Sequence, residues 1–316
     1  ISAKQFNFAD TSELISVDSK SAQHQAWVAQ SEAKKAAEFG LNLQQAGFNL
    51  LALGEPGTGR TTLMLSAMHE AASKHAVPSD LIALHQFDSN SKPLFIKLPA
   101  GVGTQLKQSL DQFVRQLAKE LANLLDAKIK DNASTLIQDF LNIQISAIKT
   151  NVPAVKVDKQ LTQYFELLQK DILDTLEAWQ PSASADSDNN LDALMSEGFF
   201  GRYRVNVLVE HAANQNAPVI YDNDPSLQSL FGGIESAGDS STTPDFMRLR
   251  AGNLLRADGG TLLLHLRDIL ADEQNGSQLL EKLHRFLRNG TLQIEDLTSS
   301  SSQGASFVSA QDAIPV

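Results

Sequence analysis

The clearest chemistry in the chain lies in one glycine-spaced run, Gly54-Glu55-Pro56-Gly57-Thr58-Gly59-Arg60-Thr61-Thr62. It matches G-x-x-x-x-G-K-[ST] at every position but one, with Arg60 in the lysine's place. Glycines are needed where the backbone must curl until several N–H groups face one phosphate. A helix starting directly after the loop would add partial positive charge at the same point. In that role the residues from Gly54 to Thr62 form a phosphate cradle. Arg60 would reach the β and γ phosphates, and Thr61 would offer its hydroxyl to Mg²⁺. Arginine keeps the charge but replaces a compact ammonium with a planar fork. A glycine-rich turn without a ligand is the alternative reading.

Such a site also needs an acid at the end of a buried strand to hold the shell of Mg²⁺. The best strand candidate is Gly259-Gly260-Thr261-Leu262-Leu263-Leu264, and it runs into His265. Neutral imidazole is a poor ligand for a hard cation. Asp268, three residues on, is the remaining candidate for the metal. His265 itself reads as a hydrogen-bonded residue at a strand end. The other histidines are scattered, with no H-E-x-x-H pair, and no G-x-S-x-G elbow occurs. There is no cysteine, so disulfides, thiolate nucleophiles and cysteine-held zinc are excluded.

The elements that must position these residues can be read from periodicity. Phe48–Leu53 is a compact apolar run between Gly47 and Gly54 and predicts a buried strand ahead of the loop. Thr61–Lys74 predicts the helix after it. Residues 21–40 predict an earlier helix stopping at Gly40. Leu81–Phe87 and Leu94–Leu98 predict strands either side of a turn at Asp88–Ser91. From 104 to about 180, apolar residues recur at spacings of three and four, as in Leu106, Leu110, Phe113, Val114, Leu117 and Leu121, and again from Leu161 to Leu176. That predicts a helical hairpin or small bundle, broken at Asn151-Val152-Pro153. Strands return at Tyr203–Glu210, with valines on alternate positions, at Val219–Tyr221 and at Gly260–Leu264; Leu279–Arg288 predicts an amphipathic helix. Residues 1–20, 181–190 and 299–303 read as irregular or low-complexity.

Composition sets the outer limits. A chain of 316 residues with 42% hydrophobic and 20% charged residues can bury a core. Its length suits about two domains. Lys and Arg total 26 against 37 Asp and Glu, a net charge of −11, which argues against a nucleic-acid partner. No apolar run approaches the ~20 residues of a membrane span, and no secretory pattern opens the chain. Its first residue is Ile, so a truncated or processed end is expected there.

Taken with its neighbours, the loop resembles the P-loop of the Lon-related ATP-dependent proteases, a branch of the Lon (protease La) family, in which arginine is usual at the lysine position. Further blocks follow in order: Phe87-Asp88 with Leu94–Leu98 and Pro99-Ala100-Gly101-Val102-Gly103; Arg202–Val209; Pro218–Tyr221; Asn223-Asp224-Pro225 with Leu230-Phe231-Gly232; and Ala251–Gly260. Where the family's strand ends in Asp, this chain has His265, and its helical insert is shorter.

The resemblance implies an α/β fold: an AAA+-like P-loop sheet with helices on both faces, interrupted by a helical insertion. The implied divisions are 1–103 for the N-terminal and P-loop part, 104–198 for the insertion, and 199–316 for the second AAA+-like part. ATP and Mg²⁺ are the implied cofactors. The implied partners are unfolded or damaged proteins and further copies in a homo-oligomeric ring, in the cytoplasm, without nucleic acid or membrane. The family's Ser–Lys protease domain comes later in the chain, so no catalytic residue is expected here, and a further AAA+ strand is expected to follow. Two other readings remain: a non-hydrolysing AAA+-like scaffold that recognises substrate or partner through its helices, and a small-molecule P-loop kinase.

Overall fold

A computed structural model describes residues 30–43, 47–87, 93–126, 133–175, 198–213, 215–235, 245–294 and 307–308. The readings at 1–20, at 88–91, at 181–190 and at 299–303, and the first part of the helix read at 21–40, fall outside these. Two compact units are resolved, Ile1–Ala71 and Ala72–Val316.

In the first unit, α1 spans Ser31–Asn42. Lys34 pairs with Glu38 and Lys35 with Glu32, at the i,i+4 and i,i+3 spacings that support an isolated helix. The sequence predicted a stop at Gly40, yet the helix continues to Asn42. Gly40 serves packing instead: a Cβ there would collide with the Leu50 side chain. α2 begins at Arg60 and runs to Ala72. Met64, Ala67, Met68 and Ala71 form its buried stripe at helical spacing. The strand expected at Phe48–Leu53 is not formed. The run lies outside any strand and pairs with none among the described residues. Leu51 is 66% and Leu53 83% exposed. An apolar run signals a wish for burial, but a strand also needs a neighbour to take its N–H and C=O groups.

In the second unit, β1 (Asp80–Leu84) lies between β2 (Leu94–Leu98) and β3 (Asn206–Val209), antiparallel to both. All five β1 residues are buried because both faces of the strand are covered. Ile82 and Leu84 face one core with Ile96 and Leu98; Leu81 and Ala83 face another. The period-two alternation of side chains thus serves two cores at once. A bulge between Leu81 and Ile82 opposes Val209 to Leu81 and Val207 to Ile82. It sends Val207 to the first core and Val209 to the second, although their spacing alone reads as one face.

The first core is mostly helical. α3 (Val102–Asp126) buries Leu106, Leu110, Phe113, Val114, Leu117 and Leu121. α4 (Ala133–Asn151) buries Ile137, Leu141, Ile145 and Ile148. α6 (Lys159–Thr175) buries Leu161, Tyr164, Phe165, Leu168 and Ile172. The break predicted at Asn151–Pro153 is real: α4 ends at Asn151, a single turn α5 occupies Ala154–Val157, and the Asp158 carboxylate accepts from the N–H groups of Gln160 and Leu161 as α6 starts. Two polar ties join this helical layer to the approach of β3. Arg204 Nε donates to Asp111 Oδ1 at 2.8 Å, and Tyr203 Oη donates to Asp171 Oδ2 at 2.7 Å.

The second core gathers segments 227–234 and 246–294. Here β4 (Val219–Asp222) runs parallel to β7 (Thr261–Leu264), with Asp222 opposite Leu264. β5 (Gly233–Ile234) pairs with β6 (Leu249–Arg250), and β8 (Gln293–Ile294) with β9 (Phe307–Val308), both antiparallel. The helix Gly276–Asn289 buries Leu279 and Phe286 and stops at Gly290, whose φ of 65° provides the left-handed cap. The fold is therefore mixed α/β, as the sequence implies.

Candidate functional site

The glycine loop is built for a sharp curl. Gly57 has φ of 80° and Gly59 of 79°, conformations that side chains of L-residues rarely adopt. Thr58 closes the first bend: its N–H and its hydroxyl both donate to the Glu55 carbonyl, at 3.4 and 2.8 Å. The first bond of the α2 ladder runs from Leu63 N–H to the Gly59 carbonyl at 2.9 Å. The amides ahead of Leu63 therefore lie at the helix N-terminus, where an anion is favoured. Space around the loop is open: a Cβ built on Gly57 or Gly59 meets nothing within 4 Å. Arg60 folds back over the loop, its Cδ 3.0 Å from where a Gly54 Cβ would stand. Gly54 thus leaves room for the cation to lie across the loop. Gly54 to Arg60 and Thr62 are exposed, and Thr61 is half-buried in the first turn of α2. The loop and helix start are where the sequence puts them; the strand before them is not. An anionic phosphate fits what is present, namely exposed curled backbone, a helix N-terminus and one arginine.

Asp268 sits in the first turn of the helix Leu266–Ala271, where its Oδ2 lies 3.3 Å from His265 Nδ1. His265 caps the end of β7, and its ring centroid is 5.4 Å from that of Tyr221. It is the polar-bonded strand-end residue that the sequence suggests. Among the described residues no group of three or more His, Asp or Glu is placed to hold a metal ion.

Two carboxylates escaped the sequence reading. Because β4 and β7 are parallel, their C-terminal ends lie side by side, the position where open α/β sheets bind ligands. The acid there is Asp222 on β4, not a residue of β7. It is 6% exposed, and its Oδ2 accepts from Ser229 Oγ at 2.9 Å and Asn253 Nδ2 at 2.8 Å. Oδ1 accepts from the Asp224 N–H. The second is Asp80 at the head of β1, fully buried, which accepts from the Gly103 and His211 N–H groups. A carboxylate at the first or last position of an apolar strand is the signal that would have found both.

Comparison with known families places these segments. Residues 215–316 match the LonB-like AAA domain, and residues 80–113 match the Lon-like LonC helical domain. The first match takes in β4 to β9 and the Asp222 cluster; the second takes in β1, β2 and the first half of α3. Comparison with individually curated proteins gives no match. Among the described residues, no helix is long and apolar enough to cross a membrane. AAA-type sequence speaks for nucleotide binding, and the two matches support a Lon-related reading, LonB-like over residues 215–316 and LonC-like over residues 80–113.

Proposed function

We propose that this chain is the nucleotide-binding and substrate-handling region of a Lon-like ATP-dependent serine protease. ATP is held at Gly54–Thr62, with the loop amides and Arg60 on the phosphates and Thr61 on Mg²⁺. Bound ATP supplies the energy of phosphate release, and this chain's residues bind and orient it. In this reading the β4–β7 pair belongs to the P-loop sheet and α3–α6 form the helical insertion. Unfolded or damaged proteins are the substrates, handled by a cytoplasmic homo-oligomeric ring, and no residue of this chain is assigned to peptide-bond cleavage.

The observation that carries the proposal is the loop itself: two left-handed glycines directly ahead of a helix that begins with Arg60 and Thr61. Calorimetric titration with ATP and Mg²⁺ tests it. Saturable binding is expected, weakened at least tenfold by Arg60→Ala. No binding at millimolar nucleotide would overturn it.

A second reading has its own observation. Where Mg²⁺ chemistry calls for an acid at the end of β7, His265 stands there, with the Asp268 carboxylate 3.3 Å from its ring nitrogen. A non-hydrolysing scaffold that recognises partners through its helices follows. Binding of ATP without phosphate release, in a protein that still assembles, favours this reading over the motor.

A further inference from the structure

A cleft of about 310 Å³ opens in the second unit between the helix Leu227–Phe231, the β5–β6 pair and the turn at Asn253. Its lining is mixed: Ile234 and Ala251 are apolar, while Gln228, Ser229, Glu235, Arg250, Asn253 and Arg256 bring polar groups. Three features make it a built site rather than a dent.

The first is a rigid floor. Gly232 (φ 81°) and Gly252 cross so closely that a Cβ on Gly252 would collide with the backbone of Leu230 and Gly232, and one on Gly232 with that of Arg250. Only glycine allows this contact of backbone on backbone. The second is support from behind. Buried Asp222 accepts from both Ser229 and Asn253, so two of the lining side chains are held in fixed rotamers. The third is the charge. Arg250 is gripped by Glu235 through two bonds of 2.6 and 2.8 Å, which cancels that pair. Arg256 is exposed and has no acid partner among the described residues. Among the described residues this leaves the Arg256 guanidinium uncompensated, with Gln228 and Asn253 also lining the cleft.

The geometry points to this cleft as a recognition site for a short peptide bearing one free carboxylate, at a chain end or on an acidic side chain. Arg256 takes the carboxylate as a forked pair. The amide side chains meet the peptide groups. The volume lies at the small end of ligand clefts, which suits one or two residues and not a folded domain. The cleft uses no residue of the glycine loop.

The test uses the full chain without nucleotide. N-acetyl-Ala-Ala-Asp with a free carboxyl terminus, N-acetyl-Ala-Ala with a free carboxyl terminus, and N-acetyl-Ala-Ala-amide are titrated and followed by calorimetry or by amide shifts. Both carboxylates are expected to bind and the amide at least tenfold more weakly. Arg256→Gln is expected to weaken the carboxylates at least tenfold with an unchanged melting temperature, because the side chain is exposed. Gln228→Ala, a milder change, should weaken them severalfold. Equal binding of acid and amide, unaltered binding in Arg256→Gln, or no binding at millimolar peptide would each overturn the assignment. So would inorganic phosphate displacing the peptide at equal concentration, since that would make the site a general anion pocket. Failure here leaves the ATP titration unaffected, so the two ideas fall separately.

Discussion

Asp80 Oδ2 accepts the backbone N–H of Gly103 at 2.8 Å, fastening the head of the central strand to the first turn of α3. Its other oxygen accepts His211 N–H at 2.8 Å, just past the end of β3. One buried carboxylate thus ties together three segments up to 131 residues apart. Gly103 is needed for the approach, since a Cβ there would stand 3.0 Å from Asp80 Oδ2. Asp80→Ala would leave two buried donors without acceptors, each costing about 1–3 kcal/mol. We expect urea denaturation to show a loss of about 2–5 kcal/mol, and Asp80→Asn, which keeps one acceptor, to lose less. A change below about 0.5 kcal/mol in Asp80→Ala would show that water serves these donors equally well.

At the crossing of Gly232 and Gly252 the obstacle to a side chain is backbone on both sides, which cannot rotate away. Gly252→Ala should therefore cost about 1–3 kcal/mol, the usual range for overpacking. Gly57→Ala meets open space instead, and only its φ of 80° opposes it. The expected ranking by thermal denaturation is a clear drop in melting temperature for Gly252→Ala and a small one for Gly57→Ala. The reverse order would contradict the packing described.

His85 sets an acid-side dependence. Its ring lies 5.0 Å from that of Phe87 and 6.1 Å from that of Phe246, between the two cores. Burial holds its pKa below the ordinary value of about 6.5; the Arg202 charge adds to this and Asp171 opposes it. The folded state prefers the neutral ring, so this contribution to stability is present above pH ~6.5 and is lost as pH falls through the lower folded value. The fall in urea midpoint from pH 7 to pH 5 should be smaller in His85→Gln than in the parent. Identical slopes would remove His85 from the account.

For the glycine loop, Gly59→Val is the sharper probe of curled backbone than any charge change. A β-branched residue at φ 79° is strained, and the loop must open to relieve it. Nucleotide affinity should fall at least tenfold with little change in melting temperature, because the loop is exposed. Undiminished affinity would mean that the curl is not what holds the phosphates.

The order of the elements was legible in the sequence because local rules set it. Helical spacing from Leu106 to Leu121 and from Leu161 to Ile172 placed α3 and α6. A proline without an N–H placed the break after Asn151, and glycine spacing placed the loop and the start of α2. The resemblance could be read the same way, since a run such as Ala251–Gly260, within the LonB-like match, is contiguous in the chain.

What tertiary structure alone decided depended on partners remote in sequence. Phe48–Leu53 has a strand's composition but no described neighbour to complete its hydrogen bonds. Gly40 looked like a helix stop and became the seat of Leu50. Asp80 and Asp222 drew no reading from the sequence; burial and donors as far as 131 and 31 residues away made them structural. The valines around β3 seemed to share one face until a bulge, set by pairing with β1, divided them between two cores. A residue's type and its near neighbours settle its local conformation, whereas burial, pairing and charge compensation belong to groups that only the fold brings together.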